Sequence, residues 1–196
     1  QSGVHQIIDN IRANIDNIQG YKKDIALFAL AKSCISGSGS YGHFASISKG
    51  SGNRHADTPK AFTDRFRENV IRINNLVFDN GKENKVFCKD ILEVLPEAKV
   101  DLAYFDPPYA TEYSTTNYET SYHFIEGLMT YWKGLEIDES SRVKKFLTNH
   151  KTVTQSNSEE FFDGFLDKAK GIKHWIISYR DHAYPNEAKM KKLIEK

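Results

Sequence analysis

The sequence predicts an α/β protein built on an open, mostly parallel sheet flanked by helices. Two patterns predict it. Short apolar runs that read as strands (Lys85 to Cys88, Asp101 to Phe105, His174 to Tyr179) alternate with stretches of helical periodicity. A length of 196 residues with 39% hydrophobic and 12% aromatic content suits one domain with a proper core. No internal repeat or low-complexity tract competes with that reading.

Val4, Ile7, Ile8, Ile11, Ile15 and Ile18 fall on one helical face, so an amphipathic helix opens the chain and Gly20 ends it. A second helix, Tyr21 to about Cys34, is apolar over a wider arc and reads as well buried. A glycine- and serine-rich loop follows, Ser36 to Asn53. Thr58 can cap a third helix with Pro59 at its first position, and Phe62, Phe66, Val70, Ile73 and Val77 line its inner face. Asn80-Gly81 breaks the chain before the strand at Lys85 to Cys88. Asp90 to Leu95 reads as a brief helical turn stopped by Pro96.

After the strand Asp101 to Phe105 and a polar loop, Thr111 to Asn117, a helix carries Tyr118, Tyr122, Ile125, Met129 and Trp132 on one face. Glu136 to Gln155 is polar and poorly periodic. Ser156-Asn157-Ser158-Glu159 reads as a capping box for a helix ending near Lys170. Tyr184-Pro185 opens a last, basic helix.

Composition narrows the function classes. The longest apolar run, Ile25 to Ala31, is far too short to cross a bilayer. Cys34 and Cys88 form no metal-ligand spacing, no metal site is expected, and sparse cysteine suits a reducing cytoplasm. A formal net charge of +1 excludes a polycation, so any nucleic-acid surface must be local. Lys49 to Arg72 is such a stretch, with Lys49, Arg54, Lys60, Arg65, Arg67 and Arg72 against Asp57, Asp64 and Glu68. His43 and His55 lie in or beside it. A solvated helix face would look the same.

The sharpest signal is Asp106-Pro107-Pro108-Tyr109, directly after an apolar strand. At average residue usage this tetrapeptide arises by chance in a chain of this length on the order of once in a thousand sequences. It suits methylation of an amino group on a base taken out of its helix. Such an amine is a poor nucleophile, because its lone pair is delocalised into the ring. Asp106 can accept a hydrogen bond from one amine hydrogen and the Pro107 carbonyl from the other, held still because proline fixes φ. Two acceptors on one NH2 group localise the lone pair and stabilise developing charge. Pro108 rigidifies the turn. Tyr109 offers a flat face to the base, and such stacking contributes about 1–3 kcal/mol. A proline-rich turn with a merely packed tyrosine is the plainer account of these four residues.

Asp106-Pro107-Pro108-Tyr109 resembles motif IV of the N6-adenine-specific DNA methyltransferases. Val86-Phe87-Cys88-Lys89-Asp90-Ile91 is similar to the family's motif III, and Trp175-Ile176-Ile177-Ser178-Tyr179-Arg180 to its motif VI. Tyr113, Asn117-Tyr118 and Tyr122-His123-Phe124 resemble an aromatic-rich stretch after motif IV, and Gly39-Ser40-Tyr41-Gly42-His43-Phe44 a loop ahead of motif III. The resemblance implies a Rossmann-like, S-adenosylmethionine-dependent fold acting on double-stranded DNA in the bacterial cytoplasm, in a restriction-modification or DNA-modification system. It implies that Asp106, Pro107, Pro108 and Tyr109 are catalytic. Asp90 would accept from the donor's adenine amino group, with the backbone at Ile91 nearby. Asp90 also suits a helix cap. Together with the local basic charge, the resemblance gives Tyr41, His43, Lys49, Arg54 and Tyr113 as nucleic-acid contacts.

Two features break the pattern. Gly37-Ser38-Gly39-Ser40-Tyr41-Gly42 matches the dinucleotide fingerprint letter for letter, but it follows a helix-like segment where a strand is needed, so it reads as a loop. The family's aromatic-glycine motif I, which holds the methionine end of the donor, has no counterpart. The expectation is a partial catalytic domain over 1–196 with an incomplete donor site that binds S-adenosylmethionine poorly alone. Within it, 1–35 is helical, 36–58 is the Gly/Ser-rich loop, and 59–196 carries the motif III, IV and VI region. Two other readings stay open: an RNA or protein amine methyltransferase, against which Asp106 weighs because those enzymes often carry Asn or Ser there, and a catalytically inactive nucleic-acid-binding fragment.

Overall fold

A computed structural model describes residues 3–37, 58–111, 118–140, 145–147 and 152–196. They fall into two compact units, one of Gln1–Lys82 with Tyr118–Thr148, the other of Glu83–Asn117 with Asn149–Lys196.

The first unit is helical. α1 (Val4–Ile15) buries Val4, Ile8, Arg12 and Ile15 on one stripe. It ends one turn earlier than its apolar pattern predicts, leaving Ile18 exposed in a link that contains Gly20 at φ +63°. α2 (Tyr21–Gly37) buries Ile25, Ala26, Ala29, Leu30, Ala31, Ser33 and Cys34, and the alanines and Ser33 among them let neighbouring helices approach closely. α3 (Pro59–Asn74) starts where the sequence places it: the Thr58 hydroxyl accepts from the Ala61 amide at 3.1 Å, and Pro59 occupies the first turn. Phe62 and Ile73 are its buried residues. Val77 lies beyond its end and is exposed. Part of the basic stretch is spent on structure. The Arg65 Nε donates to the Ser33 carbonyl at 3.1 Å, and Lys60 pairs with Asp64 at 2.5 Å.

α5 (Tyr118–Thr130) packs through Phe124, Ile125, Leu128 and Met129, so its inner stripe is rotated from the one drawn through Tyr122 and Trp132. The chain leaves this helix through two left-handed residues, Tyr131 (φ 55°) and Trp132 (φ 54°). Left-handed non-glycine residues cost about 1–2 kcal/mol each. Contacts on both sides of the turn offset that. The Trp132 amide donates to the Gly127 carbonyl at 2.8 Å, while its indole lies where a Cβ on residue 127 would come within 2.5 Å. Arg12, only 3% exposed, donates from Nε to the Leu128 carbonyl at 2.7 Å and from a second nitrogen to the Met129 carbonyl at 3.0 Å. Its guanidinium also stacks 4.8 Å from the Tyr131 ring centroid. Arg12 thus caps the last carbonyls of α5 with a positive charge where the helix dipole favours one. Beyond α5, Ile137 and Phe146 form a bridge and Phe146 is buried, in a stretch whose sequence shows no periodicity.

The second unit is α/β. α4 (Ile91–Val94) runs directly into a 3-10 turn at Leu95–Glu97, so Pro96 tightens the helix where the sequence has it stopping. β1 (Leu102–Phe105) and β3 (His174–Ile177) pair in parallel, with Phe105 opposite Ile177. β2 (Ala110–Thr111) and β4 (Ala183–Tyr184) pair antiparallel, and no sequence signal announces either. α6 (Ser158–Ala169) and α7 (Glu187–Ile194) complete it. Phe105, Leu95, Phe162, Phe165, Leu166, Ala169, Ile172 and Met190 form the core.

Two local expectations are corrected. Residues 83–88 form no strand. Val86 is 96% and Phe87 59% exposed, because no described strand pairs with them and a lone strand has no ladder to hold it. The capping box at Ser156 does not form either. Asn157 is the N-cap, and its side chain serves the preceding loop, accepting from the Thr154 amide at 2.7 Å and donating to the Thr152 carbonyl at 3.1 Å.

Arg12→Met should lower the unfolding free energy by about 2–3 kcal/mol, the worth of charged hydrogen bonds lost with their carbonyls left buried. A denaturant titration of the two proteins would measure it. Asp16, paired to Lys23 at 2.8 Å and to Arg12 at 3.2 Å, has its carboxyl held below the usual value of 3.8, chiefly by the Lys23 hydrogen bond. A lowered folded-state pKa adds stability above the unfolded value that disappears as pH falls through the folded one. Asp16→Asn should therefore flatten the acid limb of the stability profile below pH 3.8 and cost a constant amount above it.

Candidate active site

The acidic-proline-proline-tyrosine turn joins β1 to β2, outside the carboxyl end of β1. The strand's alternation carries straight through it: Phe105 is buried, Asp106 exposed, Pro107 buried, Pro108 exposed, Tyr109 half-buried and Ala110 buried. Phe105 anchors the start, its ring edge-on to Phe165 of α6 at 4.8 Å and to Trp175 of β3 at 6.2 Å. The parallel ladder continues one step past the strands, with the Ser178 amide donating to the Phe105 carbonyl at 2.8 Å. On the exit side, Ala110 pairs with Tyr184. The turn is thereby held at both ends, and the Asp106 carboxylate projects from an anchored backbone.

The segment after β3 lies against the turn. Tyr179 meets Tyr109 edge-on at 6.3 Å, and the Arg180 guanidinium sits 5.8 Å from the Tyr109 ring centroid. Tyr179 donates its hydroxyl to the Tyr184 carbonyl and packs edge-on against Phe162 at 5.3 Å. Its burial raises the phenol pKa to about 12. Neither Tyr179 nor Arg180 stands among the site residues read from the sequence. The apolar strand and the three polar residues after it, Ser178-Tyr179-Arg180, were the available signal.

Asp90 caps α4, its Oδ1 accepting from the Leu92 amide at 2.8 Å. Oδ2 has no partner among the described residues. Lys168 of α6 donates to the Leu92 carbonyl at 2.9 Å, and Leu92, Leu95 and Phe105 share one core, so α6 supports both Asp90 and the turn. Tyr41, His43, Lys49, Arg54 and Tyr113 lie outside the described residues. α2 does run to Gly37, so the glycine fingerprint there follows a helix, as its sequence context implies. An open cleft of about 860 Å³ borders Tyr179, Arg180 and α7, but neither Asp106 nor Asp90 lines it.

The sequence model of the D12 class N6 adenine-specific DNA methyltransferases matches residues 6–191, and the chain belongs to that family. It is 27% identical over 203 residues to the type II methyltransferase M2.HphI of Haemophilus parahaemolyticus, covering 96% of this chain and 56% of that protein. It is 24% identical over 132 residues to the modification methylase StsI of Streptococcus sanguinis, covering 61% of this chain and 18% of that protein. The chain thus spans little more than half the length of the first relative and under a fifth of the second. No solved structure matches it significantly. No helix among the described residues is long and apolar enough to cross a membrane.

Asp90→Ala should cost about 1 kcal/mol of stability through the lost cap, whereas Asp90→Asn, an equally good cap, should cost almost nothing. Thermal melts of both variants would check the assignment.

Proposed function

We propose that this chain carries the base-binding part of an enzyme that methylates the N6 amine of adenine in double-stranded DNA, as part of a modification system of the bacterial cytoplasm. The observation that carries the reading is the anchored turn, with an exposed Asp106, a buried Pro107 and a braced Tyr109 at the end of β1. Asp106 accepts one amine hydrogen and the Pro107 carbonyl the other, drawing the nitrogen towards a tetrahedral shape with its lone pair localised. Because the turn is fixed before the base arrives, little freedom is lost at the moment of reaction. Tyr109 stacks on the extruded base and offsets part of the few kcal/mol that extrusion costs. Tyr41, His43, Lys49, Arg54 and Tyr113 are proposed to contact the DNA.

The family implies S-adenosylmethionine, which when bound supplies an activated methyl group. The described residues fit its adenine end: Asp90 has an oxygen left to accept from an amine, and the neighbouring Ile91 is an exposed apolar surface. They do not fit its methionine end. Among the described residues, no glycine directly follows a strand to form the cradle the family uses there. Asp90 and Ile91 are therefore proposed as donor contacts and the donor site as incomplete.

In the full-length protein Asp106→Ala should reduce methyl transfer to adenine by about a hundred- to a thousandfold while the melting temperature holds. Incorporation of labelled methyl groups into duplex DNA would measure this, and turnover like the parent's would end the proposal. Tyr109→Phe should keep most activity and Tyr109→Ala lose about five- to a hundredfold, the equivalent of one stacked base. Equal activity in the two variants would show that the ring stacks on nothing.

A further inference from the structure

We propose that Tyr179 is a positioning residue for the reaction, a clasp that holds Tyr109 as a fixed wall for the target base. The inference rests on the role of Tyr109 given above. It comes from what Tyr179 joins. Its ring edge meets Tyr109 at 6.3 Å with the two planes 85° apart. Another edge-on contact, at 5.3 Å, is Phe162, a fully buried residue of α6. Its hydroxyl donates to the carbonyl of Tyr184, and Tyr184 is the residue paired with Ala110, the next residue after Tyr109.

Tyr109 therefore sits between two ladders. The β1–β3 ladder ends at the bond from Ser178 to Phe105, four residues before it, and the β2–β4 ladder begins one residue after it. Tyr179 bridges the interval, with its backbone next to the first ladder and its hydroxyl on the second. A phenylalanine would fill the same space but lose the bond to Tyr184, leaving β4 tied to the segment after β3 only through the longer Ala183–Arg180 backbone bond of 3.3 Å. The phenol stays protonated, and so remains a donor, throughout the range in which such an enzyme is assayed, since its pKa is raised to about 12. Arg180 completes the frame, its guanidinium 5.8 Å from the Tyr109 ring centroid.

The test is Tyr179→Phe in the full-length protein, beside Tyr109→Ala, with 2-aminopurine at the target position of the duplex. The clasp predicts a kcat lowered by about ten- to a hundredfold, the order expected from misplacing a contact by an ångström, with KM for DNA unchanged. At equal occupancy the variant's 2-aminopurine emission should be brighter than wild type, because the extruded base is less well stacked. Wild-type kcat and emission in Tyr179→Phe would overturn the clasp. So would a kcat loss that vanishes when the assay is cooled well below the variant's melting temperature, since that is a stability effect alone. Loss of activity in Tyr109→Ala without loss in Tyr179→Phe refutes only the clasp. Full activity in Tyr109→Ala refutes the stacking role on which it rests.

Discussion

The ring of Phe105, set edge-on into Phe165 of α6, is the contact on which the candidate site depends. Burying a phenylalanine contributes about 1.5–3 kcal/mol, and an aromatic pair of this geometry adds about 0.5–1.5. Its larger effect is on phase. Side chains of a strand alternate between faces, so fixing Phe105 inward sends Asp106 outward, Pro107 inward and Pro108 outward. A slip of one residue would bury the carboxylate among phenylalanines, where a charge is expensive. The two prolines have no amide hydrogen, so the turn leaves fewer donors to satisfy than any other pair of residues would.

The same helix serves the other proposed contact. α6 presents Phe162 and Phe165 to the strand side, while Lys168 reaches back to the carbonyl of Leu92 in α4. One rigid element thus sets the positions of both Asp90 and Asp106, though the two are 16 residues apart in sequence. In the helical unit Arg12 has a comparable part. It is buried, aromatic-stacked and bonded to two helix-terminal carbonyls, and all of that is structural. Arg65, within the basic stretch, is likewise bonded to a carbonyl and stacked over Phe62 at 5.3 Å. Positive charge in this chain is thus no simple marker of a nucleic-acid surface.

What could be read from the sequence was what short-range chemistry decides. Thr58-Pro59 starts a helix with its own hydroxyl and ring, Asp90 caps the turn next to it, and the apolar runs at 102–105 and 174–177 alternate as strands. The failures share the opposite character. Val86 and Phe87 have strand propensity, but a ladder needs a partner that no local pattern supplies. Asn157 had better company in Thr152 and Thr154 than in the helix it opens. β2 and β4, two residues each, exist because the segment after β1 lies against the segment after β3, far away in sequence. Tyr179 was legible only as part of an apolar strand, because its importance lies in a hydroxyl directed at a carbonyl five residues on and a ring directed at one seventy residues back.

The cap made by Asp90 is compatible with its proposed role as a donor contact. The cap consumes Oδ1 alone, and a carboxylate has lone pairs on two oxygens. Bonding one oxygen to the Leu92 amide fixes the side-chain torsions, so the second oxygen is presented at a defined angle with no further loss of rotamer freedom. An uncapped carboxylate at the same place would have to be ordered by the ligand it binds. In the proposed donor-binding role, the cap would prepare the acceptor. It also explains why an acidic residue is preferable to asparagine only once a ligand is considered: both cap equally, but asparagine's second group is a donor and would meet an amine with the wrong polarity.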